Sequence, residues 1–469
     1  MVTFRPIFNN MKQHISIRNF GPIRQAEIDV NDLTILIGEQ ASGKSTIAKL
    51  VYFFKSLRND LVELSRNRPE HLDGLRIINS VRDKFYLYFG GTKRLPTDYE
   101  VVFSFGVDKI IKLHGSPLRV EFLPIGPRNW FNVIGQEIRQ SAPAVNRFRH
   151  NIELEAAERE EMRLHIALSY IFDDRAKPAY IPAGRNITVA YSAEFLRIFA
   201  DEIKIRTSPT LGPDDEPRRN DAREIDLILV RDFIAHSNRL LQEFESSGSM
   251  DTILRQINPS RLASFLQNEI ASILKGKYRI STNNGEYLLI GNGDKILLRH
   301  ASSGQQEVIR ILQDVVLAII DELPIFRIIE EPEAHLFPTA QQHLLQVLTT
   351  LLTDSHQQAS GGDNQLFITT HSPYLLTVLN NLIFAGDLMY EERASEKDLS
   401  ATQIPIYCRL RPAQVSAYMI HDGVVTPMND TAQGDLSSTA TGLIGENLLE
   451  DVWNDLQHQF DTLLELGSE

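Results

Sequence analysis

An apolar run, Leu33 to Ile37, leads without a break into GEQASGKST, residues 38 to 46, and a helix-like stretch, Ile47 to Leu57, follows. The spacing G-x-x-x-x-G-K-[ST] is that of a phosphate-cradling loop. Gly38 and Gly43 let the backbone curl so that its N–H groups point at phosphate oxygens. The first turn of the following helix adds a favourable dipole. Lys44 is placed to reach the outer phosphates and Ser45 to ligate Mg²⁺. Glu39, Gln40, Ala41, Ser42 and Thr46 complete the nucleotide-binding stretch. A strand before the loop and a helix after it commit the chain to an α/β core.

The surrounding pattern agrees. HISIRNFGPI and AEIDV alternate apolar and polar residues about a Gly-Pro turn and read as strands. In the middle, KFYLYF, YEVVFSF and KIIKLH read as short strands, and residues 150–172 and 222–246 read as long helices. Residues 208–221, SPTLGPDDEPRRND, read as a loop. Prolines such as Pro69, Pro96, Pro124, Pro143, Pro182 and Pro259 exclude long coiled-coil arms. From residue 278, YRISTNNGEYLLIGNGDKILLRH reads as strands joined by Asn-Gly turns. A helix, a strand, a helix over about 338–353, the loop SHQQASGGDNQ and the strand LFITT follow. Alternating strands and helices imply a mixed, largely parallel sheet. The closing helix carries Leu448, Leu449, Val452, Leu456, Phe460 and Leu463 along one side, a stripe expected to face the protein's own core.

The chain of 469 residues is long enough for one large domain with insertions or for two to three domains. A formal net charge of -13 argues against a general nucleic-acid binder, since phosphate contact is driven by Lys and Arg. RFRH (147–150) and PRR (217–219) remain candidates for a local basic patch. One cysteine, Cys408, excludes an internal disulfide and a multi-cysteine metal site, fits a reducing cytoplasm, and is expected to be buried as a small hydrophobe. The polar start MVTFRPIFNNMKQ does not read as a signal peptide, and no apolar run approaches the ~18 residues that span a bilayer.

Three further stretches carry chemistry. In IFRIIEEPEAHLFP (325–338) an apolar strand ends in two carboxylates, Glu330 and Glu331. One can hold Mg²⁺ or its water shell, and the other can orient and deprotonate a water. Taken alone, the pair also fits the acidic first turn of a helix, and Arg327 interrupts the apolar strand. HASSGQQEVIRIL (300–312) is a small-residue loop opening a helix, an anion-binding geometry that a capped helix shares. In the capped reading Ser302 or Ser303 is the N-cap and Gln306 or Glu307 closes a capping box. LFITTHSPYLL (366–376) is a strand ending in His371 and Pro373.

Taken in order, these motifs resemble an ABC-type P-loop ATPase head of the RecF-like, SMC-like and OLD-like kind. ISIRNFGPI followed by TILIGEQASGKST matches how such heads begin. SSGQQ resembles the ABC signature, with Ser302, Gly304 and Gln305 at matching positions and Ser303 in place of a Gly. IIEEPEAHLFP is close to the acidic motif of OLD-like heads, and TTHSP matches the switch-histidine segment. Gln40 stands where many relatives have Asn. No Q-loop glutamine follows the first helix; AYIPAGRN (179–186) takes its place, with Arg185 either facing nucleotide or partner, or lying in a surface turn.

The resemblance implies a head split by a helical and β insertion: residues 1–60, an insertion over 61–277, and 278–469. It implies ATP and Mg²⁺ held in a head-to-tail homodimer. Lys44, Ser45, Glu330, Glu331 and His371 would act in cis; Ser302 and Gly304, with Gln305, would bind the γ-phosphate in trans. Glu331 would be the catalytic base, with Lys44 and His371 beside it; Glu330 and Ser45 would be the metal ligands. About 90 residues follow His371–Pro373 and contain no evident metal-carboxylate cluster, so a separate effector nuclease is expected. The length fits best the ATPase subunits of PARIS-type anti-phage systems, which form hexamers that hold a Toprim nuclease and release it on sensing a phage trigger protein; Septu-type systems use an HNH nuclease. A RecF-like repair ATPase clamping DNA is the second reading. A transporter motor fits less well, because its signature lies nearer the phosphate loop and no membrane segment is present. A P-loop kinase needs neither signature nor switch histidine.

Overall fold

The computed structural model describes residues 13–67, 74–124, 130, 132–137, 154–191, 225–281, 285–291, 293–321, 324–353, 364–429, 443–445 and 457–458. The chain runs β1 (Gln13–Phe20), β2 (Ile23–Val30), β3 (Leu33–Gly38), α1 (Lys44–Asn67), α2 (Gly74–Phe89), β4 (Glu100–Ser104), β5 (Ile110–His114), β6 (Arg119–Leu123) and α3 (Leu154–Phe172). It continues through β7 (Lys177–Ile181), α4 (Ile187–Ala190), α5 (Ile225–Ser247), α6 (Met250–Leu254), α7 (Ser260–Leu274), β8 (Lys277–Ser281), β9 (Gly285–Ile290), β10 (Asp294–Leu297), α8 (Ser303–Asp321) and β11 (Ile325–Glu330). It ends with α9 (Pro338–Thr349), β12 (Gln365–Thr370), α10 (Pro373–Tyr390), α11 (Glu396–Leu399), β13 (Val415–His421) and β14 (Val424–Pro427). This is the α/β fold expected. The strands foreseen around the phosphate loop, at 278–297, at 325–330 and at 365–370 are all present.

Two compact units divide the chain: residues 1–31, 53–175 and 209–223 form one, and residues 32–52, 176–208 and 224–469 the other. In the first, strands β6-β5-β4-β1-β2 form an antiparallel array. The turn between β1 and β2 needs positive φ at Asn19 (51°) and Gly21 (58°), as the Asn-Phe-Gly sequence allows. Its core is aromatic. Phe54 stacks on Phe103 at 5.0 Å, and Phe105 meets Phe172 edge-on at 5.0 Å. Such pairs add roughly 0.5–1.5 kcal/mol beyond area burial. Lys55 is buried here and pairs with Asp174 at 2.8 Å. KFYLYF, expected as a strand, is instead the end of α2. Ile77, Val81 and Phe85 are buried at four-residue spacing, so the helical period of the whole segment overrides the β propensity of its last residues. Strand β6 was not foreseen; Arg119 and Glu121 alternate with buried Val120 and Phe122 over a length too short to stand out.

In the second unit the strand order is β14-β13-β3-β12-β11-β7, with β13, β3, β12, β11 and β7 mutually parallel. All six residues of β3 are buried, which is why it reads as a continuous apolar run. Helices α8, α9 and α10 supply core residues such as Ile309, Leu312, Leu344, Leu348, Leu376 and Leu379. Full burial of each stabilises by roughly 1.5–3 kcal/mol. Cys408 is in this core, as expected. Strands β8, β9 and β10 form a separate antiparallel three-stranded sheet.

Arg327, the interruption in β11, is fully buried and does not break the strand. Its Nε donates to Asp314 Oδ2 at 2.5 Å, and Asp314 also accepts from His236 at 2.9 Å. The Arg327 guanidinium and the hydrogen bond from His236 hold the Asp314 carboxyl far below its ordinary range despite its burial. No described helix is long and apolar enough to cross a membrane. The loop 208–221, most of the loop 355–365, the RFRH and PRR stretches and the apolar stripe of the closing helix lie outside the described residues.

Candidate active site

Parallel pairing brings four chain segments to one edge of the second unit's sheet. Ile37 is level with Thr370, Glu330 with Thr369, and Ile329 with Ile181. The phosphate loop, the acidic pair, His371 and the 182–186 turn therefore all leave the carboxyl ends of adjacent strands, where open α/β sheets bind ligands. Strand β12 lies between β3 and β11, so His371 emerges between the loop and the carboxylates.

The loop has no room for larger residues. A Cβ at Gly38 would lie 2.4 Å from the carbonyl oxygen of Ile420, and Gly43 has φ 111°. Lys44 is the first residue of α1 and is buried. Its Nζ donates to the carbonyls of Gly38 and Glu39, both at 2.7 Å. Burial lowers its pKa to about 8, against the opposing pull of Glu331, Glu333 and Glu39. Ser42 Oγ is buried with no hydrogen-bond partner. A desolvated ammonium and an orphaned hydroxyl inside a loop of amides fit a polyphosphate, which would satisfy both. Ser45, Glu39, Gln40 and Ala41 are exposed at the mouth, while Ser42 and Thr46 are half-buried.

The acidic pair splits by environment. Glu330, buried at the end of β11, accepts from the Tyr180 hydroxyl at 2.8 Å and from the Ala183 amide at 3.2 Å. Glu331 has φ 43°, a conformation non-glycine residues rarely adopt, and its amide donates to Thr369 O at 2.8 Å. Its Oε1 lies 3.0 Å from His371 Nε2, and the other ring nitrogen, Nδ1, lies 3.4 Å from Lys44 Nζ. One carboxylate is thus fixed in a buried frame, and the other is partly exposed beside His371. Carboxylate and hydroxyl oxygens are the donor type that Mg²⁺ takes alongside phosphate oxygens.

Sequence reasoning passed over Glu333. This buried carboxylate accepts from the Thr370 hydroxyl at 2.5 Å and from the His371 amide at 3.0 Å through Oε1, while Oε2 has no partner. Burial and the neighbouring Glu331 push its pKa up. Its only signal was a third acid two residues beyond the pair. Tyr180 was also missed; burial and Glu330 push its pKa well up, which keeps it a hydrogen-bond donor.

Ser302, Gly304 and Gln305 lie at the start of α8, with Ser302 and Ser303 exposed. The capping box here closes on Gln305, not Gln306 or Glu307. Gln305 Oε1 accepts from the Ser302 amide at 3.0 Å, and Ser302 Oγ accepts from the Gln305 amide. Glu307 is turned inward onto Arg185, and Gln306 donates to the carbonyls of Arg299 and Ala301. Gly304 is packed on His335, whose carbonyl would lie 2.5 Å from a Cβ at this position. Arg185 is neither in a surface turn nor turned toward a ligand: it is fully buried, and its guanidinium is spent on carbonyls of Pro182, Glu307, Glu330 and Glu331.

A family model described as an AAA ATPase domain matches residues 11–112 and 228–376, more than half of the chain. This chain belongs to the AAA ATPase domain family. The two matched segments of the AAA ATPase domain hold the phosphate loop, Ser302–Gln305, the acidic pair and His371, and they skip residues 113–227. Among solved structures, the chain is similar to an SMC head bound to the C-winged helix domain of ScpA, at 12% identity, 89% and 96% coverage of the two chains and a TM-score of 0.38. It is also similar to an SMC head domain from Thermotoga maritima (11%, 89% and 98%, TM-score 0.32). A third is the recombination mediator protein RecF with ATPγS in the RecFOR pathway (12%, 89% and 98%, TM-score 0.29). No curated protein matches the chain.

Proposed function

We propose that this AAA ATPase domain chain hydrolyses ATP at an ABC-type composite site and serves as the scaffold and sensor subunit of a bacterial anti-phage complex. In this reading it holds and controls a separate effector nuclease, of Toprim type in a PARIS-like system. The observation that carries the hydrolytic part is the line Lys44–His371–Glu331, a cation, an imidazole and a carboxylate in sequence across the mouth of a phosphate loop. The defence role is supported by the resemblance of IIEEPEAHLFP and its neighbours to OLD-like heads.

In the mechanism we infer, Lys44 leaves the carbonyls of Gly38 and Glu39 to bind the outer phosphates. Ser45 and Glu330 would hold Mg²⁺, which would offset the charge that develops on the phosphates. The Tyr180 hydroxyl and the Ala183 amide keep Glu330 aimed. Glu331 accepts the proton of the attacking water, and His371 donates toward the phosphate. Ser302 and Gly304 of a second copy close the site on the γ-phosphate, giving a head-to-tail homodimer and, by repetition, an even oligomer such as a hexamer. Opening the dimer on hydrolysis would release the effector.

The test is a pull-down of tagged protein expressed from its native operon, with co-purifying chains identified and the assembly weighed. A stoichiometric nuclease in an even oligomer is the expected result. A bare dimer retaining DNA, with ATPase stimulated by duplex DNA in a salt-dependent way, would replace it with the RecF-like reading.

A further inference from the structure

The buried Arg185 joins two places that the composite-site reading assigns to different ATP molecules. On one side its Nη1 donates to the carbonyl of Glu330 at 2.6 Å and its Nη2 to that of Glu331 at 3.0 Å. These are the backbone oxygens of the acidic pair, which serves the chain's own phosphate loop. On the other side its Nε donates to the carbonyl of Glu307 at 3.0 Å, and its amide donates to the Glu307 carboxylate at 2.9 Å. Glu307 is in the first turns of α8, whose first residues include Gly304 and Gln305.

The connection is stiff over more than one residue. The Arg185 carbonyl accepts from Thr188 Oγ1 at 2.9 Å. Thr188 Oγ1 in turn accepts from Arg310 Nε at 3.1 Å, and the Thr188 carbonyl from Arg310 Nη2 at 3.1 Å. Arg310, one turn along α8 from Glu307, is clamped by both carboxylate oxygens of Glu286 at 2.6 and 2.7 Å. The 182–190 segment is therefore bolted to α8 at two successive turns and to the acidic pair at one end. The planar guanidinium ties four carbonyls from three segments to one rigid group.

We infer that Arg185 is a positioning residue that couples the two ATP sites of the dimer: a shift of the acidic pair on one nucleotide is delivered, through Arg185 and Glu307, to the Ser302–Gln305 turn that meets the other. This rests on the composite-site reading above. Neither Arg185 nor Glu307 touches nucleotide in this scheme; both transmit.

The experiment is the shape of the ATP dependence of hydrolysis in the wild type, Arg185→Lys and Glu307→Gln, with thermal midpoints measured alongside. Lysine keeps the charge and loses the fork; glutamine removes the charge that faces Arg185 and keeps the side chain's shape. The wild type should be sigmoidal, with a Hill coefficient of roughly 1.5 or more for two coupled sites. Arg185→Lys should fall to about 1, and Glu307→Gln should lie between. A residue that only braces the fold would lower the melting temperature and leave this shape alone. A folded Arg185→Lys or Glu307→Gln that keeps the wild-type Hill coefficient overturns the coupling, and Glu307→Gln decides it alone if the lysine variant does not fold. A wild type that hydrolyses ATP hyperbolically as a monomer overturns the composite site itself, and the coupling with it.

Discussion

His371 Nε2 sits 3.0 Å from Glu331 Oε1, so the histidine at the end of β12 and the carboxylate after β11 face each other at ion-pair distance across two adjacent strands. The His371 backbone is held from behind by Glu333. If Glu331 is the base that takes a proton from water, removing its charge while keeping its shape stops chemistry without emptying the site. Glu331→Gln should bind ATP with near wild-type affinity, lose about 10²–10⁴-fold in turnover, and accumulate as an ATP-bound dimer. Nucleotide binding, phosphate release and light-scattering mass check the three together. Undiminished hydrolysis would remove Glu331 from the role.

Lys44 gives a pH dependence with a definite sign. Without nucleotide its pKa is lowered to about 8 by burial. An anionic phosphate raises it again, so binding takes up a proton at any pH above about 8 where the free lysine is neutral. ATP affinity should be full below pH 8 and weaken as pH rises through 8 toward 10. For folding in the absence of ligand, the depressed pKa means the unfolded chain binds the proton more tightly. Lys44 should therefore make stability rise with pH between about 8 and its model-peptide value of 10.5. Calorimetry in buffers of different ionisation heat measures the proton uptake, and Lys44→Ala should abolish it along with most of the affinity.

Glu333 is predicted to matter through His371 rather than through the nucleotide. Glu333→Ala leaves the Thr370 hydroxyl and the His371 amide without their acceptor, at a cost of about 1–3 kcal/mol for each buried donor left unsatisfied. Turnover should fall while ATP affinity holds, because Lys44 and the loop are untouched. Glu333→Gln keeps an acceptor at Oε1 and should recover most of the turnover. The pH effect also follows. The raised pKa of Glu333 means that its contribution to stability is present below the ordinary carboxylate pKa and is lost as pH rises through the raised one. Thermal midpoints against pH in the weakly acidic range should be flatter in Glu333→Gln than in the wild type.

Much of this site was legible because its chemistry is local in sequence. A strand ending in Gly38, a carboxylate pair ending β11 and a histidine ending β12 each announce themselves within a dozen residues, and parallel pairing then has little choice but to bring them to one edge. What was not legible depends on partners far along the chain. Arg327 reads as a flaw in a strand until Asp314, thirteen residues earlier, neutralises it. Arg185 reads as a turn residue until four carbonyls from three segments bury it. Ser302 announced a capping box, but Gln305 closes it, while Gln306 is taken by the carbonyls of Arg299 and Ala301 and Glu307 by Arg185. KFYLYF shows the converse: a locally convincing strand lost to a helix whose buried positions begin seven residues earlier, at Ile77.

Gly304 separates the packing of the α8 start from its polar surface. A methyl group there would meet the His335 carbonyl oxygen at 2.5 Å and Leu336 Cδ2 at 3.2 Å. The first obstacle is backbone, and His335 is already at φ 61°, so the loop has little freedom to retreat. Gly304→Ala should therefore cost about 1–3 kcal/mol of stability, as overpacking does, and push the α8 start away from the acidic loop. Ser302→Ala loses only a cap, about 1 kcal/mol, and leaves the packing alone. Both hydroxyl and helix start face a second copy in the composite reading, so both variants should lower turnover. Their separation is in stability. Urea denaturation and nucleotide affinity measured on the two variants check it: stability should fall further in Gly304→Ala, while ATP affinity of the isolated subunit should hold in both. A loss of monomer ATP affinity in Ser302→Ala would place that serine in the chain's own site and contradict action across the dimer.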